Sequence, residues 1–412
     1  MPRLWSTLSI NIHKANLQNV KLRFQSSGFA PLRVRLHAHN NITSAHAIPE
    51  VIMLVKQNLH RMARLCLDVS CQFINEYLSQ GLDRSNNLAQ PILEELHVHC
   101  SEYPCLGPHN FLLSTIPPRP HKVIVRPCTL MNTRLDWNHI RHLCLVKGAL
   151  IGQALSLLSE GKQLHVVDLQ GDYPDIPAPL AGIIVTQNSI RNLRLFLTPS
   201  KILSHVTMPH LESLTLWKAP CDSINPIISF LQRSACSLTS IIWKPCDTLP
   251  EETFVKVFRC TPNLQALFLS VRGLSTSSEE HIIPFLEHLG TGLSQNTESA
   301  TQLCNRSIDR FLPILKEFVY SGPLTLALLG RLLDIIETRS TLSTERGQVT
   351  QPLERLPLYC PYLSYKSLIT DSEPELQRIS QLNAAGKQIS VVLSNFDDGL
   401  MDFPVHAQSF TK

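Results

Sequence analysis

Residues 211–269 read LESLTLWKAPCDSINPIISFLQRSACSLTSIIWKPCDTLPEETFVKVFRCTPNLQALFL. The phrase L-x-x-L-x-L stands at Leu211, Leu214 and Leu216. It returns as Leu238, Ile241, Trp243 and again as Leu264, Leu267, Leu269, so that its first positions are 27 and then 26 residues apart. Between the copies lie apolar residues at helical spacing: Ile224, Ile227, Ile228 and Leu231, then Phe254, Val257 and Phe258. Alternation of period two marks a strand and spacing of three and four marks a helix. Each unit is therefore a short strand, a turn and a helix.

Varied copies extend outward: Met62, Leu65, Leu67; Leu93, Leu96, Val98; Ile140, Leu143, Leu145; Leu164, Val167, Leu169; and Ile190, Leu193, Leu195. A degenerate copy has Pro120, Val123 and Val125 in its slots. First positions then step by 31, 27, 20, 24, 26, 21, 27 and 26 residues from Met62 to Leu264. A strand–helix phrase at this period is the mark of a leucine-rich repeat. One such unit cannot bury its apolar face alone, so neighbours must stack. The expected fold class is α/β, a leucine-rich-repeat solenoid. Its curved parallel sheet forms the concave face, and helices and loops form the convex face. Each buried leucine contributes roughly 1.5–3 kcal/mol, so an extended core needs no single centre.

The array is expected over residues 13–322, with 323–412 as irregular C-terminal repeats and a cap. Residues 14–27, 47–60, 279–289, 324–338 and 373–385 read as helices, with Gly28 as a stop. PLRVRL at 31–36 and Gln388–Leu393 read as strands. Residues 290–307 and 340–351 are polar and read as loops. The phrase resumes at Leu315, Phe318, Tyr320 and matches again at Leu353, Leu356, Leu358, where Pro357 weakens the match.

Composition bounds the function. An apolar content of 43% supports a packed chain. A net charge of +4, with no run of five basic residues and only 6% aromatics, argues against nucleic acid as a partner. The 12 cysteines stand singly, without a C-x-x-C pair, as expected of reduced thiols in a cytoplasmic or nuclear protein. Neither a secretory leader nor an apolar run long enough for a membrane span is visible. A monomer is expected.

Several stretches resemble fungal F-box-type leucine-rich-repeat proteins: PRLWSTLSI at 2–10, QSSGFAPLRVRL at 25–36, VRPCTLMNTRLDWNHIRHLCL at 125–145, the repeats from 190 to 269, and ELQRISQLNAAGKQISVVL at 375–393. The resemblance implies a protein-interaction module, the substrate-recognition part of a ubiquitin ligase receptor. There the F-box binds the Skp adaptor of a cullin complex and the repeats hold an unknown protein substrate. PRLW resembles the C-terminal edge of an F-box region, so residues 1–12 read as its remnant, and Skp and cullin are partners only if an F-box lies upstream. The alternative is a stand-alone repeat scaffold without a ubiquitin link. The asparagine ladder of ordinary leucine-rich repeats is patchy: its slot holds Cys128 and Cys246, but also Gly148, Asp172, Ala219 and Arg272.

Chemistry is sparsely signalled. His97, His99, Cys100, Cys105 and His109 carry metal donors but match no established zinc spacing. Asp168, Asp172 and Asp175 read as a strand end and a solvated turn. With no phosphate loop, HExxH or GxSxG, a hydrolase-like enzyme has no motif behind it, and no catalytic residue, metal or cofactor is expected. The register instead picks out a binding surface. In L-x-x-L-x-L-x the fifth and seventh residues project outward. They place Phe196, Trp217, Ile242 and Phe268 on the concave face, with Arg191, Arg194 and Lys244 around them. An aromatic centre rimmed by cations is the composition of a protein-binding hot spot. The helices that grip the Skp adaptor have no counterpart in these 412 residues, so the purified chain should not co-elute with purified adaptor in gel filtration; co-elution would place an adaptor site within residues 1–60.

Overall fold

The computed structural model describes residues 6–38, 48–78, 92–100, 108–111, 113, 116–126, 129–131, 135–146, 151–171, 184–196, 200–219, 224–245, 251–271, 277–291, 311–345, 351–360 and 373–393. The chain forms two compact units, Met1–Ser237 and Leu238–Lys412. The boundary expected at 322/323 thus falls inside the second unit. Both units are mixed α/β with parallel strands.

In the first unit the main strands are β1 (Thr7–Asn11), β2 (Leu32–Ala38), β3 (Met62–Val69), β4 (Glu95–Cys100), β5 (Lys122–Arg126), β6 (His142–Val146), β7 (Val166–Gln170), β8 (Asn192–Phe196) and β9 (Ser213–Ala219). They are hydrogen-bonded in sequence order, every neighbour parallel. Parallel neighbours require a crossover. Helices fill several crossovers: α1 (Leu17–Ser26), α2 (Ile48–Gln57), α3 (Ile151–Glu160) and α4 (Ile224–Ser234). Shorter connections carry small strand pairs instead, Pro108–Asn110 with Thr129–Met131 and Val185–Thr186 with Val206–Thr207. Asn16 caps α1 by accepting from the N–H groups of Gln18 and Asn19, and Gly28 closes its end at φ 54°.

The second unit repeats the scheme with β10 (Ser240–Pro245), β11 (Ala266–Ser270), β12 (Glu317–Ser321), β13 (Arg355–Cys360) and β14 (Gln388–Leu393), all parallel. Its helices are α5 (Glu251–Arg259), α6 (Ser277–Thr291), α7 (Leu326–Glu345) and α8 (Glu373–Ala384). Trp243, Phe254, Phe258, Phe285 and Phe311 form an aromatic core, with centroid separations such as 5.2 Å for Trp243–Phe254 and 5.3 Å for Phe258–Phe285.

Every phrase position named from the sequence is buried, from Met62, Leu65 and Leu67 through Leu353, Leu356 and Leu358. A second regularity fixes the register. The carbonyl of the phrase's second residue accepts two N–H groups from the next strand's entry. Glu94 O takes His121 N–H at 2.9 Å and Lys122 N–H at 3.1 Å; His121 O takes Arg141 and His142; Arg141 O takes His165 and Val166; His165 O takes Arg191 and Asn192. In the second unit Thr239, Gln265 and Lys316 do the same.

On the helical side, long side chains reach the preceding connection's carbonyls. Arg61 Nη2 donates to Phe24 O at 2.8 Å, and Gln187 donates to Leu158 O and Gly161 O. Arg233 donates to Leu203 O and Val206 O, and Arg339 to Leu312 O at 2.8 Å with Pro313, Leu315 and Gln351 further out. Arg339 is 1% exposed. Burial lowers its pKa from 12.5 to about 10, so it keeps its charge at neutral pH, surrounded by carbonyl dipoles.

Two expected loop boundaries shift, and two further stretches are strands. Residues 7–11 form a strand of the sheet with Leu8 and Ile10 inside. The loop expected at 340–351 begins later, because α7 runs on to Glu345. Pro357 lies within β13, in register with Ser390 of β14, while the register with β12 steps over it from Glu317–Arg355 to Tyr320–Leu358. The loop expected at 290–307 is helical at its start, to Thr291, and its remainder lies outside the described residues.

Leu214 is 1% exposed, and Thr215 beside it faces out. Leu214→Asp should lower the melting temperature severely by burying an unpaired carboxylate, while Thr215→Asp changes it little; equal melts for the two variants would overturn the register.

Candidate partner-binding face

Alternation leaves one face of each sheet outward, and its residues are set side by side by the pairing. In the first unit Phe196 is in register with Trp217. Their ring centroids lie 5.2 Å apart at 52°, and both side chains are half-buried. The next residue, Lys218, adopts a left-handed backbone at φ 53°, a conformation that costs a non-glycine residue of order 1–3 kcal/mol. Its ammonium lies 5.7 Å from the centre of the Phe196 ring, a cation–π distance. Arg191, at the strand's entry, pairs with Glu212 at 2.5 Å. Arg194 leans toward Asp168, its Nε 3.8 Å from Oδ1.

The second unit presents its own group. Ile242 is in register with Phe268, and Lys244 Nζ lies 5.5 Å from the Phe268 ring centre. All three side chains are partly exposed. The seven residues picked from the sequence therefore fall into two groups, Phe196, Trp217, Arg191 and Arg194 in one unit and Ile242, Lys244 and Phe268 in the other.

The outward rows of the first unit also hold charged residues that the sequence pattern left unassigned. Asp68 accepts from His99 at 2.7 Å, faces His37 at 3.2 Å and pairs with Arg35 at 3.7 Å. Glu95 pairs with Arg64 at 3.3 Å and faces His97 at the same distance. His97 and His99 share the outward face, and Cys100 points inside. Asp168, read from the sequence at a strand end, lies within β7 at 9% exposure, in contact with His142 Nε2 at 2.9 Å. Asp172, Asp175 and Cys105 lie outside the described residues, and His109 is in a strand of a small sheet.

Two groups with shifted pKa values bear on what this face can do chemically. Burial, with the Asp168 carboxylate beside it, pushes the Cys144 thiol up to about 12. The Asp168–His142 contact next to a cysteine therefore does not make a nucleophile, because the thiolate is suppressed. Burial and the Arg64 charge lower His97 from 6.5 to about 4, so its ring is neutral between Arg64 and Glu95. Among the described cysteines, Cys66, Cys144, Cys236 and Cys360 are free thiols. Cys71, expected from the sequence as a reduced thiol, is disulfide-bonded.

No protein-family model and no curated protein matches this chain. No described helix is long and apolar enough to cross a membrane.

His97 gives a pH test. Its folded pKa lies below the unfolded value near 6.5, so it stabilises the fold fully above 6.5, and that contribution is lost as the pH falls toward about 4. His97→Gln should therefore lose less stability than the parent over this window in denaturant titrations; parallel losses would remove the assignment.

Proposed function

We propose that the chain is a protein-binding array of the leucine-rich-repeat type, and that it serves as the substrate-recognition part of an F-box-type ubiquitin ligase receptor. The observation that carries the binding part is the Phe196–Trp217 pair. Two large aromatic rings stand in contact on an outward strand face, half-exposed, with a cation over one of them. Desolvating such rings against a partner is the usual source of hot-spot energy. The Lys218 backbone supports the same reading, since strain beside an exposed aromatic pair is a feature of ligand sites. The Ile242–Phe268 group offers the second unit a similar surface. The ligase part rests on the resemblance of residues 2–10, 25–36, 125–145, 190–269 and 375–393 to that family.

The test compares parent and Trp217→Ala baits in affinity purification, followed by calorimetry with the purified partner. The substitution should cost about 2 kcal/mol in binding, near thirtyfold in Kd, with the melting temperature nearly unchanged. Loss of folding without a separable loss of binding would make Trp217 a core residue and remove the site.

A further inference from the structure

We propose that the partner presents an acidic, extended protein segment to the outward rows of β2 to β8. The proposal rests on the reading above, that the strand face binds protein, and adds the chemistry of what it binds.

The first observation is the charge inventory of that face. Its described outward positions carry six cations, Arg33, Arg35, Arg64, Lys122, Arg126 and Arg194. Against them stand three carboxylates, Asp68, Glu95 and Asp168. The second observation is depth. The Asp68, Glu95 and Asp168 side chains are 13%, 29% and 12% exposed, whereas their partners Arg35, Arg64 and Arg194 are 59%, 41% and 42% exposed. The acids form the floor and the guanidinium groups stand above them, so an approaching molecule meets positive charge first. The third is incomplete pairing. Among the described residues no carboxylate lies within ion-pair distance of Arg33, Lys122 or Arg126.

Register turns the inventory into a shape. Arg33, Arg64, Glu95 and Lys122 lie in one row across neighbouring strands, and His37, Asp68, His99 and Arg126 in another. Arg33 and Arg64 stand one strand apart, about 4.8 Å, and Arg64 and Lys122 two strands apart, about 9.6 Å, distances that bracket the roughly 6.6 Å between carboxylates on one side of an extended peptide. Arginine forks suit carboxylates, which they can hold through two parallel hydrogen bonds. The interspersed acids and the apolar Ile124 and Phe196 favour a peptide with separated charges over a continuous polyphosphate. A peptide can set its apolar side chains where the phosphate backbone would meet Asp68 and Glu95. Charge complementarity of this kind gives orientation and on-rate, and it weakens with salt.

The experiment uses the full chain in fluorescence anisotropy with three labelled probes. These are an alternating Glu/Leu peptide long enough to cross β2 to β8, the same peptide with Gln for Glu, and a single-stranded oligonucleotide of equal span. The Glu peptide should bind at low salt and be released as salt rises, with the Gln peptide at least tenfold weaker. The exposed pair Arg33→Glu/Arg126→Glu should weaken Glu-peptide binding about tenfold. Lys14→Glu/Lys162→Glu, which changes net charge equally but off this face, should leave binding unchanged. Circular dichroism melts of both variants check that folding is intact. Equal binding of Glu and Gln peptides, or equal effects of the two charge-reversal pairs, would overturn the acidic partner. Tighter binding of the oligonucleotide would replace it with nucleic acid. If the Glu peptide fails while Trp217→Ala still weakens the natural partner, the acidic proposal falls and the protein-binding reading stands.

Discussion

A strand with one apolar face cannot stand alone in water, and everything else in these two units follows from that. Leu65 and Leu67 are buried because Leu96 and Val98 lie beside them in register, and those because Val123 and Val125 follow. Each added strand contributes two or three buried residues, of roughly 1.5–3 kcal/mol each, and exposes an equal edge to the next. The doubly accepting carbonyl at the phrase's second position makes this addition specific. It admits the next strand in only one register, since a slip of one residue would turn every leucine outward. The backbone therefore enforces what the side chains reward.

The phrase was legible because it combines two constraints, parity within the strand and a repeat between strands. Its named residues could be assigned to the core even in the degenerate copy at Pro120, Val123 and Val125. Some elements still escaped reading. Thr7–Asn11 has parity, with Leu8 and Ile10 inside and in register with Val34 and Leu36, but its first slot holds Trp5 in place of an aliphatic residue. The extension of α7 carries Thr338, Ser340, Thr341 and Ser343, weak helix formers that read as loop; Ser340 and Thr341 hydrogen-bond back to the preceding turn's carbonyls within the helix. The arginine and glutamine caps at Arg61, Gln187, Arg233 and Arg339 carried no signal. Each acts on carbonyls 24 to 37 residues earlier, a partner that sequence spacing does not reveal.

Those caps also satisfy backbone groups at the connections between strands. Helix and turn ends leave carbonyls without partners, and a buried carbonyl left alone costs free energy. Here long side chains arrive from a later segment of the chain, as Arg61, Gln187 and Arg233 do. A guanidinium has five donors and can serve several carbonyls at once, as Arg339 does with Leu312, Pro313, Leu315 and Gln351. The solution accepts connections of unequal length, because the donor's reach adjusts to the gap. It also explains the tolerance for steps of 20 to 31 residues in the phrase.

Two tryptophans show how far a single position decides a residue's role. Trp243 occupies the last inward slot of its phrase and is 0% exposed, packed 5.2 Å from Phe254 and 5.8 Å from Phe258. Its indole N–H has no hydrogen-bond partner among the described residues, a penalty of about 1–3 kcal/mol that the aromatic cluster must exceed. Trp217 occupies the slot just after the last inward residue of its own phrase, and the pleat turns it outward beside Phe196. The two residues share chemistry and differ by one step of parity. One is held by the core at the expense of its polar atom. The other sets its ring beside Phe196 on the outward face, half-buried, which is why outward register, rather than residue type, locates the candidate site in this chain.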